Sequence, residues 1–173
     1  MTKTVQERIQ VVDQILDRGF MLMTDPLTRG TLRNRRFSDG ACVGYTFRLN
    51  NLSYRGIWIS TIEDLQLTVD GQAVSKTDML LRLGTFSCTI DNLVNHSDVF
   101  WAVADQCWID VNKIGGLAPG DHQFEIVIMK RNDFGHSYGD GTDLEGYRRN
   151  AKELATPLVL KDKTVYTIKE GAA

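Results

Sequence analysis

Three histidines, three cysteines and one carboxylate-rich run are the side chains of this sequence best suited to chemistry, and their spacing limits what they can do. His96, His122 and His136 lie in separate segments. No His-x-His or His-Glu-x-x-His spacing therefore offers two imidazoles to one metal ion from a single strand or helix. Asp140, Asp143 and Glu145 alternate with glycines, but not at the spacing of an EF-hand loop. No nucleophile elbow of the Gly-x-Ser-x-Gly kind is read, and no P-loop lysine follows the glycines. Cys42, Cys88 and Cys107 have no electropositive neighbour in sequence that would lower a thiol pKa. Cys88 and Cys107 fall on apolar strand faces and read as reduced core residues, so no disulfide framework is predicted. The inventory lacks a nucleophile with its base, paired carboxylates and a metal cluster, so no catalytic or metal-ligating residue is expected on this chain.

One segment stands apart. Residues 132–150 carry four glycines, three aromatic rings and a histidine. A loop this long in a compact domain is functional or disordered, and leaving Phe134, Tyr138 and Tyr147 in water argues against disorder. The segment reads either as a working loop or as an Ω-loop closed on its own aromatics.

The elements that must position these residues are mostly strands. Thr4-Val5-Gln6-Glu7 has the capping-box form, and Val5, Ile9, Val12 and Leu16 recur at helical spacing, so an amphipathic helix is predicted before Gly19. Asp25 to Gly40 is polar, Arg-rich and read as irregular. From Ala41 the pattern alternates: Val43, Tyr45, Phe47 and Leu49 in one strand, Leu65, Leu67 and Val69 in another. Asp70-Gly71 supplies a tight turn. Ile57 and Ile59 face opposite to Trp58 and Ser60, and Glu63-Asp64 is read as the corner between two strands. Further strands are predicted at Met79–Leu83 and Phe86–Ile90. Val99–Val103 with Gln106–Val111 reads as a hairpin, and Phe124 to Ile128 follows a Pro119-Gly120 turn. Leu158–Leu160 and Val165–Ile168 read as a closing hairpin about Lys161-Asp162-Lys163. Short alternating strands between turn signals predict a mainly β fold, an antiparallel β-sandwich of jelly-roll or immunoglobulin-like kind. Two parts follow: residues 1–40 as helix and arm, and residues 41–173 as the sandwich with its long loop.

At 173 residues the chain can build one substantial core, burying roughly 70% of the surface it would expose unfolded. A net charge of −2 with no basic stripe gives no reason to expect nucleic acid. The one basic cluster, Arg29, Arg33, Arg35 and Arg36, reads as a solvated or protein-contact patch. No apolar run reaches the ~20 residues of a membrane span, and no signal peptide is read at the N-terminus, so a cytoplasmic protein is expected.

Tyr54-Arg55-Gly56, Ser60-x-Ile62-Glu63-Asp64 and Thr68-Val69-Asp70-Gly71, taken as a set, resemble the small β subunit of bacterial C-glycoside deglycosidases. The similarity runs over Ala41 to Lys130 and Pro157 to Ile168, with Trp58 standing where many relatives carry proline. That resemblance implies a sandwich subunit paired with a larger TIM-barrel α subunit similar to sugar isomerases. It further implies that the α subunit carries the divalent metal, usually manganese, and the histidine base, with no cofactor on the small chain. The substrate implied is a C-glycoside oxidised to the 3-keto sugar. A ketone at C3 acidifies the C2 proton, and a cation at the keto oxygen stabilises the enolate. Eliminating the aglycone from C1 then breaks a carbon–carbon bond. Phe134, His136 and Tyr138 become candidates for a lid over the pocket, and Tyr54, Arg55 and Trp58 for the subunit interface. Arg55 can equally pair with Glu63 or Asp64 within the chain, and Trp58 can equally be a core or semi-exposed residue of the sandwich. The competing classes are a stand-alone carbohydrate-binding or structural sandwich module, and an independent sandwich metalloenzyme in which His96, His122 and His136, or some of them, converge.

Overall fold

The computed structural model describes residues 25–53, 56–131 and 158–169. The predicted N-terminal helix and the 132–150 loop lie outside them. The described chain is two antiparallel sheets with a third, two-stranded pair at one end. The five-stranded sheet contains β1 (Arg33–Arg36), β2 (Cys42–Leu49), β6 (Met79–Leu83), β7 (Phe86–Thr89) and β9 (Cys107–Asn112), in the order β1-β2-β9-β6-β7. The four-stranded sheet has the order β11-β10-β4-β5, from β4 (Ile62–Val69), β5 (Gln72–Ala73), β10 (Gly120–Lys130) and β11 (Leu158–Ile168). The end pair is β3 (Ile57–Trp58) with β8 (Phe100–Trp101).

Period-two alternation determines which side chains go inside. Tyr45, Phe47 and Leu49 of β2 are buried, as are Leu65, Leu67 and Val69 of β4. An aromatic cluster joins the two sheets. Phe124 of β10 meets Phe47 at 5.4 Å, Tyr45 at 5.9 Å and Tyr166 at 5.0 Å between ring centres, all edge-to-face. Such pairs add roughly 0.5–1.5 kcal/mol each to the burial of their area. The Tyr166 hydroxyl donates to the Thr28 carbonyl at 2.8 Å, and burial pushes its phenol pKa up to about 12. Cys88 and Cys107 are buried and free, as expected.

Four sequence readings are corrected. Asp25 to Gly40 is not wholly irregular, because Arg33–Arg36 pairs with β2 and Leu27 joins the core. Glu63-Asp64 is not a corner. It lies inside β4 at a bulge opposite Met129/Lys130, and the extra residue lets both Ile62 and Leu65 point inward. Val99–Val111 is not a hairpin either. Phe100–Trp101 pairs with β3, and the turn at Ala102–Asp105 then sends β9 between β2 and β6. A strand with Cys107, Ile109 and Val111 all buried is better satisfied by two neighbours than by one. Finally, Lys161-Asp162-Lys163 is no turn: β11 runs unbroken through it. Asp162 accepts the Leu27 backbone N–H at 2.9 Å and Arg29 Nη2 at 3.1 Å, which pins the N-terminal arm to that strand.

Candidate functional site

At one end of the sandwich, Trp58 and Phe100 are 48% and 43% exposed, with ring centres 5.0 Å apart and planes at 65°. The pair is built from below. Ile57 and Trp101 are buried partners across β3 and β8, which turns their chain neighbours Trp58 and Phe100 outward. Gly56 makes this possible. Its φ is +80°, and a Cβ there would lie 2.7 Å from the Trp101 carbonyl oxygen and 2.8 Å from the Phe100 ring. Asn51 Nδ2 donates to the carbonyl oxygens of Trp101 and Ala102, holding the preceding segment against the same turn.

The same end receives the root of the 132–157 segment. Thr61 Oγ1 donates to the Trp58 carbonyl at 2.7 Å, and the Thr61 carbonyl accepts the Arg131 N–H at 2.8 Å. Arg131 Nε lies 3.2 Å from Glu63 Oε1. Lys130 of β10 is paired with Leu158 of β11, so the segment leaves and re-enters the sheet at this end. Beside Phe100, a cleft of about 520 Å³ opens towards Arg82, Thr85, Gln106 and Trp108.

The opposite end of β4, about 25 Å away along an eight-residue strand, carries Thr68-Val69-Asp70-Gly71. Asp70 and Gly71 have φ of 51° and 78° between the paired residues Val69 and Gln72, the two positive values of a type I′ hairpin. Asp70 also closes a clasp. Its carboxylate accepts the Gln123 N–H at 2.8 Å and lies 2.7 Å from His122 Nδ1, while His122 Nε2 is 2.8 Å from the Ala118 carbonyl. Both partners of the ring can only accept, so the geometry requires both ring nitrogens to carry protons. Burial alone would lower the His122 pKa, but the hydrogen bonds to Asp70 and Ala118 outweigh it and the net shift is upward. Hydrogen bonds from His122 and Gln123 hold the Asp70 carboxyl below its ordinary range. This half of the motif set fixes a turn.

With that geometry in place, comparison with known proteins is decisive. The family profile described as C-glycoside deglycosidase beta subunit matches residues 24–134. The chain belongs to this family. It is also 28% identical over 93 residues to a C-glycoside deglycosidase beta subunit of Eubacterium cellulosolvens. That stretch is 54% of this chain and 63% of the relative, so the chain spans less than two thirds of the curated protein it matches.

The family match begins at residue 24, upstream of the Ala41 limit of the motif resemblance, and takes in β1 through β10. Of the residues singled out by sequence, the structure places Trp58 at the exposed aromatic end, not in the core. Tyr54, Arg55, Phe134, His136 and Tyr138 lie outside the described residues. The acids once open to Arg55 have other partners: Glu63 has Arg131, and Asp64 has Lys76 at 2.6 Å. His96 stacks edge-on against Phe86 at 4.8 Å and lies 3.1 Å from Asn92 Nδ2. Burial raises the pKa of the Cys88 and Cys107 thiols, which disfavours their thiolate forms. Among the described residues no three His, Cys, Asp or Glu side chains form a group able to hold a metal ion. No described helix is long and apolar enough to cross a membrane. One motif reading is corrected by the sequence itself: Gly135-His136-Ser137-Tyr138-Gly139 does spell the Gly-x-Ser-x-Gly form of a hydrolase elbow. That motif acts where a strand of an α/β-hydrolase sheet turns into a helix, whereas β10, the strand leading to it, is antiparallel to both neighbours. Sequence reasoning missed Phe100 and the cleft beside it. The outward alternation of Phe100 next to buried Trp101 was the available signal, and the hairpin reading obscured it.

Proposed function

We propose that this chain is the small subunit of a heteromeric C-glycoside deglycosidase that cleaves the carbon–carbon bond of 3-keto C-glycosides. It scaffolds and covers the active site of a larger, metal-binding TIM-barrel subunit. The observation that carries this reading is family membership combined with an exposed aromatic pair at the root of the 132–157 segment. Trp58, with Tyr54 and Arg55 just before it in the chain, meets the partner. Aromatic and arginine side chains are the residue types that dominate such contacts. The divalent metal, manganese in this reading, belongs to the partner and supplies Lewis-acid polarisation of the keto sugar there. This chain's part is to close the pocket. Phe134, His136 and Tyr138 lie over the glycoside, exclude water and thereby strengthen electrostatic stabilisation of the developing enolate.

The stand-alone carbohydrate-binding alternative calls for exposed coplanar rings that stack on a sugar, and the Trp58 and Phe100 planes cross at 65°. Two measurements test the proposal. Co-expression with the larger subunit, followed by size exclusion, should give one co-eluting species; separate elution at micromolar concentration refutes it. His136→Ala and Tyr138→Ala should each lower kcat/KM of the assembled complex roughly tenfold, or ~1.4 kcal/mol, without loss of assembly. Wild-type kinetics in both variants would return the segment to the Ω-loop reading.

A further inference from the structure

The outer face of the five-stranded sheet carries an arrangement that neither the fold nor the clasp explains. Register places Arg33 of β1 opposite Thr46, and Thr46 opposite Asp110 of β9. Arg48 lies opposite Trp108, which is opposite Arg82 of β6. The guanidinium carbons of Arg33 and Arg82 stand 4.9 Å and 5.8 Å from the Trp108 ring centre, reached from strands on either side of β9. Arg82 is committed: it donates to both Asp110 oxygens at 2.8 and 3.2 Å, and Thr46 Oγ1 donates to the same carboxylate at 2.6 Å. Arg35 donates to Asn112 Oδ1 and Arg48 to Thr28 Oγ1, each at 3.4 Å, and Arg35 reaches the Asp110 carboxylate only through its longer-range field. Among the described residues, four arginines thus share the outward positions of these strands with Asp110, and Asp105 lines the cleft beside them, on a chain whose net charge is −2.

This basic face is continuous with the aromatic end. The cleft of about 520 Å³ is lined by Arg82, Trp108 and Phe100 together with Asp105, and the Phe100 ring contacts Trp58. Tryptophan, phenylalanine and arginine around a shallow cleft match the composition of a protein interface rather than of a small-molecule pocket. A second copy of this chain is a poor occupant, because placing the face against itself would bring arginines onto arginines. Planar guanidinium groups fit carboxylates with two parallel hydrogen bonds.

We propose that the larger subunit docks across this continuous surface, with an Asp/Glu-rich strip of its own lying over Arg33, Arg35 and Arg48 while Trp58 and Phe100 anchor one end. This inference rests on the subunit reading above and adds the docking face and the chemistry of what covers it. The test measures affinity between the full-length chain and the co-expressed larger subunit at 50 and 300 mM NaCl. Wild-type affinity should fall at least tenfold over that salt range. The double variant Arg33→Glu/Arg48→Glu should bind at least tenfold more weakly than wild type, with unchanged circular dichroism and melting temperature. Lys163→Glu, on the outer face of the other sheet, should stay within twofold. Wild-type binding that survives the double reversal overturns the docking face and leaves the subunit reading standing. A wild-type chain that does not bind the larger subunit refutes both. Self-association, or retention of a fluorescent oligonucleotide, that the double variant loses while partner binding is untouched would assign the face to another occupant and overturn the proposal.

Discussion

Gly56 and Gly71 form a natural pair for a mutational experiment, because their backbones match and their surroundings do not. Their φ values are +80° and +78°, but a Cβ at Gly71 meets nothing within 4 Å, whereas one at Gly56 meets the Trp101 carbonyl at 2.7 Å and the Phe100 ring at 2.8 Å. Alanine at Gly71 therefore incurs only the left-handed backbone cost, roughly 1–2 kcal/mol. Alanine at Gly56 incurs that cost and an overpacking term of roughly 1–3 kcal/mol, because the Trp101 oxygen belongs to a β3–β8 backbone that cannot swing away. The sums are about 1–2 kcal/mol for Gly71→Ala and about 2–5 kcal/mol for Gly56→Ala. At ~2–4 °C per kcal/mol for a chain of this size, the second variant should melt several degrees below the first. Urea unfolding monitored by circular dichroism reads the difference as a shift in midpoint at constant slope. Gly56→Ala should also weaken association with the larger subunit, since relieving the clash displaces Phe100 from Trp58. Equal destabilisation of the two variants would refute the reasoning, because it would mean that the close approach of Trp101 and Phe100 to Gly56 does not exist in solution.

The Asp70–His122 clasp predicts a pH dependence with a definite sign. The His122 pKa is raised from 6.5, so its contribution is complete below pH 6.5 and is lost as pH rises through the folded-state value. The Asp70 pKa is lowered from 3.8, so its contribution is complete above pH 3.8 and is lost as pH falls through the folded-state value. The stability difference between wild type and Asp70→Asn, which keeps a turn-forming Asn-Gly pair, should therefore be largest between these two pH values and shrink on either side; a flat difference across the range contradicts the clasp. Asp162→Ala strands the Leu27 N–H and removes the shortest ion pair of Arg29, and should cost about 1–3 kcal/mol in denaturant titrations. No measurable loss would show that the arm is not held by that carboxylate.

Much of the sandwich was legible because alternation is a local signal. Tyr45/Phe47/Leu49 and Leu65/Leu67/Val69 face the core as their period requires, and Asp70-Gly71 turns where its chemistry allows. The misreadings concern features that single-strand periodicity does not encode. A bulge at Glu63-Asp64 looks like a corner because it interrupts alternation without ending the strand. The β11 triplet Lys161-Asp162-Lys163 looks like a turn because the reason for Asp162, the Leu27 N–H, lies 135 residues away. β9 looks like the partner of its chain neighbour because sequence does not show that a slot between β2 and β6 is open. At the site, Trp58 was visible as a candidate, but the residues that make it part of a surface, Phe100, Trp108, Arg33 and Arg82, come from four different strands and converge only through sheet order.

The central claim is that this chain completes an active site whose reactive groups belong to another subunit. The most direct measurement is aglycone release from a 3-keto C-glycoside with manganese present, by the purified chain, by the purified larger subunit, and by the two recombined. This chain alone should give no release above background, and recombination should give turnover well above that of the larger subunit alone. Robust turnover by this chain alone, or equal turnover by the larger subunit with and without it, would contradict the account.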